Sequence, residues 1–94
     1  MSAYFVVNCS IKDMGLLNEY LQGVQKSPVP TKLLAMDNES ETVEGTPAGA
    51  RTVILEFESK DDFHTWYDSA PYQAVIGKRL AATEGFGVLV EGWL

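Results

Sequence analysis

The chain has 94 residues, of which 46% are hydrophobic, 11% aromatic and 21% charged, so it is short for more than one domain and too apolar for intrinsic disorder. Seven Lys and Arg against thirteen Asp and Glu give a net charge of −6, which repels a phosphate backbone and argues against nucleic acid as a partner. No apolar run approaches the roughly 18 residues of a membrane span, and the basic residues are scattered rather than clustered as an anionic lipid surface requires. A single cysteine, Cys9, and no leader-like pattern from Met1 to Ser10 set the expectation of a cytoplasmic protein, one domain over 1–94, without an internal disulfide.

Ala3 to Ile11 is a β-branched and aromatic run that predicts a first strand, with Phe5, Val7, Cys9 and Ile11 on one face and Tyr4, Val6, Asn8 and Ser10 on the other. Asp13 caps the next segment, where Leu16, Leu17, Tyr20, Leu21 and Val24 recur at helical spacing. Ser27, Pro28 and Pro30 end that helix. Thr31 to Asp37 reads as a second strand. Glu39 to Gly49 is polar and turn-rich, a loop or hairpin excursion with room for a short strand at Thr42 and Val43. Arg51 to Glu58 is the clearest strand, with Val53, Leu55 and Phe57 opposite Thr52, Ile54 and Glu56.

Ser59 with Asp62 three residues on resembles a capping box and starts a helix at Lys60, in which Phe63, Trp66 and Tyr67 face the sheet. Ser69 restarts a helix with Pro71 in its first turn, and Tyr72, Val75, Ile76, Arg79, Leu80 and Thr83 share one side. Glu84 and Gly85 are expected to end it, and Phe86 to Trp93 to return as the last strand.

The element order predicts an α+β fold, a ferredoxin-like βαββαβ sandwich with helices on one face of a four-stranded antiparallel sheet. The expected dry set is Phe5, Val7, Val53, Leu55, Phe57, Val88 and Val90. Tyr4, Val6, Ile54 and Leu89 are left on the open face. An uncovered apolar face calls for a partner, and a second copy is the economical one. A homodimer through that face is expected, with Asn8, Glu56 and Glu91 in the interface needing partners or water.

From Glu56-Phe57-Glu58-Ser59 through Trp66 to Gln73, with Arg79 six residues further on, the chain resembles the family called domain of unknown function 1330, in the dimeric α/β-barrel superfamily. The Tyr-Asp-Ser-x-x-Tyr-Gln run, Tyr67 to Gln73, is its most specific piece. The aromatic-rich first strand, Glu44-Gly45, Val53 to Phe57, and Leu89 to Gly92 extend the resemblance over nearly the whole chain. The chain departs from the family where Pro30-Thr31-Lys32 stands for a frequent Gly-Gly, and Ala70-Pro71 for Pro-Glu. The resemblance implies the ferredoxin-like fold and a dimer with a sheet-lined barrel. It implies no reaction, because superfamily relatives include monooxygenases, isomerases and haem-binding proteins.

Arg79 is the residue on which a functional reading turns. It sits among apolar helix positions, so its guanidinium must reach a carboxylate, a backbone carbonyl or an anionic ligand. An internal pair with Glu56 is one solution and a ligand is the other. Tyr67 and Tyr72 straddle the helix break, so their hydroxyls either converge on a pocket near Ser69 or are satisfied within core and cap. Ser69 reads first as a helix cap, since no base accompanies it. Glu56 becomes a general base if desolvated, or else pairs with Arg79 or across the dimer.

His64 reads as a solvated surface residue and Cys9 as core, so the donors for zinc or haem are missing and no cofactor is called for. No phosphate-binding loop or nucleophile elbow occurs. The expected function is binding of a small organic acid or phenolic molecule in a pocket between helices and sheet, with ligand contacts from Tyr67, Ser69, Tyr72 and Arg79. If the site is catalytic, Glu56 is the base and Arg79 the oxyanion stabiliser in cofactor-free proton transfer or oxygenation. The alternative is a non-catalytic structural or binding dimer whose polar groups pair only with one another.

Overall fold

The computed structural model describes residues 1–25 and 32–93. Strand β1 (Ala3–Ile11) leads into helix α1 (Met14–Gln25), strands β2 (Lys32–Asp37) and β3 (Arg51–Phe57), helices α2 (Lys60–Tyr67) and α3 (Ala70–Ala82), and strand β4 (Thr83–Glu91). The four strands form one antiparallel sheet in the order β2-β3-β1-β4, the ferredoxin-like arrangement. The Ser27, Pro28, Pro30 stop and the Pro30-Thr31 departure lie outside the described residues. Among the described residues, no helix is long and apolar enough to cross a membrane.

Helix starts are where side-chain oxygens satisfy orphan backbone N–H groups. Leu16 N–H donates to Asp13 Oδ1 at 3.0 Å, and Asp62 N–H to Ser59 Oγ at 3.0 Å. Ser69 Oγ accepts from Tyr72 N–H at 3.4 Å while donating to Trp66 O at 2.6 Å, which turns α2 directly into α3. Helix-facing Phe5, Val7 and Cys9 of β1 are buried against Leu17 and Tyr20 of α1, Phe63 and Trp66 of α2, and Tyr72 and Ile76 of α3. Phe63 is the hub of the aromatic packing, with ring centroids 4.9 Å from Phe5, 5.2 Å from Phe57 and 5.1 Å from Tyr67.

Three expectations are corrected. The last helix ends at Ala82, not at Glu84-Gly85. Thr83 is already extended, its hydroxyl bonds Arg79 O at 2.9 Å, and Lys12 and Asp13 N–H groups bind Ala82 O at 2.7 and 3.1 Å, pinning the junction. No strand forms at Thr42 and Val43; the 38–50 connection stays irregular. The loop is tied down instead by Asn8. Its Nδ2 donates to Gly49 O at 3.0 Å and Thr52 Oγ1 at 3.1 Å, and its Oδ1 accepts from Ala48 N–H at 2.8 Å. The Asn8 amide thus finds its partners inside its own chain.

The third correction concerns β4, whose two faces are the reverse of the expected ones. Glu91 pairs with Ala3, Leu89 with Phe5, Gly87 with Val7 and Gly85 with Cys9, so these belong to the helix-facing set, and Glu91 is not on the open face as expected. Val88 and Val90 pair with Val6 and Tyr4 and lie on the open face, 45% and 42% exposed. The reason is steric. A side chain at Gly85 would run into the backbone of Asn8 and Cys9, and a Cβ at Gly87 would stand 2.8 Å from the Phe5 ring. Only glycine lets β4 approach β1 on the crowded side.

Candidate functional site

Two openings lie between the helix layer and the sheet. Beside β4, where Gly85 and Gly87 contribute no side chains, a cavity of about 510 Å³ opens among Phe5, Phe63, Tyr67 and Leu80. Beside β2, a narrower cavity of about 210 Å³ lies between α1 and the sheet, walled by Leu17, Leu21, Leu33, Met36, Val53 and Leu55. Both are bounded by Phe5, Val7, Cys9, Arg79 and Thr83, so they adjoin as two lobes with Arg79 between them.

Arg79 Nε is buried with no acceptor, and among the described residues no carboxylate pairs with its guanidinium. The pair with Glu56 is not formed. Glu56 is opposite Tyr4 and between Leu55 and Phe57, which face the helices, so the period of two sends its carboxylate to the other side of the sheet. One protomer therefore does not bring the expected base and oxyanion stabiliser together.

Tyr67 lines the wide lobe. Tyr72 is buried, and its hydroxyl lies 2.7 Å from that of Tyr20, which lines the narrow lobe. Two phenols hold two hydroxyl hydrogens but one shared bond, and neither hydroxyl makes a further hydrogen bond among the described residues. Burial, followed by the adjacent Tyr72 phenol, pushes the Tyr20 hydroxyl far above its ordinary value, while Arg79 pulls the other way. Tyr20 therefore keeps its proton, and either phenol can be the donor within the pair. Arg79 and the phenol pair make the inner end of the cleft rich in donors and poor in acceptors, a polarity that suits an anion.

Ser69 is occupied as the cap of α3 and lines neither lobe. Cys9 is a free, buried thiol on the wall between the lobes, and His64 is exposed. At the mouth of the wide lobe, Lys12 pairs with Glu84 and holds its carboxyl below the usual carboxylate range. The pair offsets the one acidic side chain that lines that lobe among the described residues. Among the described residues, no group of three or more His, Cys, Asp or Glu side chains could hold a metal ion.

Tyr20, Arg51, Gly85 and Gly87 escaped the sequence reading as site residues. Tyr20 is one member of an apolar helix stripe and Arg51 the first residue of a strand, so neither carries a local signal. The glycines did carry one: Gly-x-Gly inside a strand marks a close approach of backbone or ligand.

A four-stranded antiparallel sheet with helices on one face and a cleft between the layers defines a ferredoxin-like protein. More particularly, the model of the family described as Domain of unknown function (DUF1330) matches residues 2–93, and the chain belongs to that family. No curated protein matches the chain. Among solved structures, it is similar to a dimeric ferredoxin-like protein of unknown function from Thermobifida fusca YX. The identity is 13%, the TM-score 0.62, and the match covers 100% of this chain and 92% of that one.

Proposed function

We propose that the protein is a cytoplasmic homodimer in which each protomer holds a small organic acid or acidic phenol in the cleft between helices and sheet. The observation that carries this reading is Arg79, a guanidinium with a buried, unmet N–H between two cavities and, among the described residues, no carboxylate to neutralise it. A guanidinium in such surroundings is costly without an anion. The phenol pair beside it supplies a neutral donor, and the flanking apolar walls suit a carbon skeleton. The dimeric state of the Thermobifida fusca protein and the uncovered apolar sheet face support the homodimer, and the free buried Cys9 supports a reducing compartment.

The test compares wild type with Arg79→Gln in thermal unfolding with benzoate and hexanoate. At a concentration near 100 times Kd, a bound acid stabilises the wild type by about 2.7 kcal/mol. Arg79→Gln is expected to keep its circular dichroism spectrum and lose that shift. Equal stabilisation of both proteins would sink the proposal. Native mass spectrometry of protein purified from its source then identifies the acid by mass.

A further inference from the structure

The chain has two arginines, Arg51 and Arg79, and both line the narrow apolar lobe. Among the described residues, no Asp or Glu lines it and neither guanidinium has a carboxylate partner. In a chain of net charge −6, two guanidiniums without a carboxylate partner place local positive charge at one small apolar cavity.

Neutral groups hold Arg51. Its Nη1 donates to Asn38 Oδ1 at 2.7 Å and its Nη2 lies 3.6 Å from Met36 Sδ. These contacts draw it toward the β2 edge. Arg79 comes from α3 and also borders the wide lobe beside β4, so the two guanidiniums approach the lobe from different sides. A single carboxylate on Arg79 leaves Arg51 with an amide oxygen and a thioether, both weaker acceptors than the bidentate carboxylate that a guanidinium fits.

We propose that Arg51 is a second ligand-binding residue and that the ligand is a small dicarboxylate, one carboxylate on Arg79 and the other on Arg51, with a short apolar skeleton between. This rests on the reading of Arg79 as the anchor for an anion and extends it. The lobe, about 210 Å³, is below the usual size of a ligand pocket, so the skeleton between the two carboxylates is short.

The experiment is isothermal titration at constant ionic strength with two matched pairs, adipate against hexanoate and isophthalate against benzoate. Wild type, Arg51→Gln, Arg51→Lys and Arg79→Gln are compared, with folding checked by circular dichroism. Wild type is expected to bind at least one dicarboxylate tenfold or more tighter than its monocarboxylate twin. Arg51→Gln erases that preference and leaves monocarboxylate binding intact, Arg51→Lys keeps part of it, and Arg79→Gln weakens every probe. Arg79-dependent monocarboxylate binding without any dicarboxylate preference in wild type overturns this inference alone, as does a preference unchanged by Arg51→Gln. Should Arg51→Gln fail to fold, a preference undiminished in Arg51→Lys overturns it equally. No binding of any of the four probes overturns the Arg79 reading as well.

Discussion

Tyr20 illustrates how a single side chain serves core and cleft together. Its ring packs edge-on against Tyr72, centroids 6.2 Å apart, while its hydroxyl meets that of Tyr72 at the inner end of the narrow lobe. Burial keeps the phenol neutral in the folded protein well beyond its ordinary titration. Because the folded value is raised, the stabilisation is complete below about pH 10, where the unfolded phenol still holds its proton, and is lost as pH rises past that point. Tyr20→Phe should cost about 1–2 kcal/mol near neutrality, through the lost hydroxyl pair and the stranded Tyr72 hydroxyl. Urea denaturation at pH 8 and at pH 10.5 checks the sign: the gap between wild type and variant should narrow at the higher pH. A gap that widens would show that the hydroxyl is not held neutral by burial.

At the scale of elements, β4 determines the shape of the cleft. Its helix-facing positions are Thr83, Gly85, Gly87, Leu89 and Glu91, and the missing side chains of the two glycines create the wide lobe and make room for the Phe5 ring. The two glycines should respond differently to alanine. At position 85, the added carbon meets the Asn8 and Cys9 backbone inside the sheet, which has nowhere to move. Overpacking there should cost about 3 kcal/mol. At position 87, it meets the edge of the Phe5 ring at 2.8 Å, and a ring beside a cavity has space to swing. Gly87→Ala should cost only about 1 kcal/mol, read from the urea midpoints of both variants. Equal costs would mean that β4 does not press on β1 as described. The α3–β4 junction follows a similar logic: Thr83, β-branched and hydrogen-bonded back to Arg79 O, leaves the helix and enters the strand with no loop between.

For the whole molecule, the open sheet face is the unresolved demand. Across it run Val88, Val6, Ile54 and Ala35, cross-strand partners in sequence. Phe86, Val88 and Val90 remain 53%, 45% and 42% exposed. The accessible surface is 6166 Å², above the roughly 5,400 Å² expected of a compact monomer of this mass. Val88→Asp should leave the fold intact and convert a dimer to a monomer in light scattering, because it buries an unpaired carboxylate at the centre of the face. A wild-type monomer at micromolar concentration would remove the basis for the dimer.

Much was legible without coordinates. The apolar spacing of Leu17 and Tyr20, the caps at Asp13, Ser59 and Ser69, and the alternation within β1 and β3 are local properties, read over a turn of helix or a few residues of strand. The split of the last helical region at Ser69, and the family signature that runs through it, are likewise written in consecutive residues. Which face of β4 meets the helices was not, because alternation has two phases and hydrophobicity favours the wrong one; contact between Gly87 and Phe5 chooses. The same holds for Glu56 and Arg79, assigned to opposite sides of the sheet by strand register, and for Arg51 and Arg79, joined at one cavity though 28 positions separate them in the chain. Sequence by itself determined the elements and their order, because those arise from short-range sterics and hydrogen bonding. The cleft and its charge were decided by the packing of helices on a registered sheet, which brings distant residues within reach of one another.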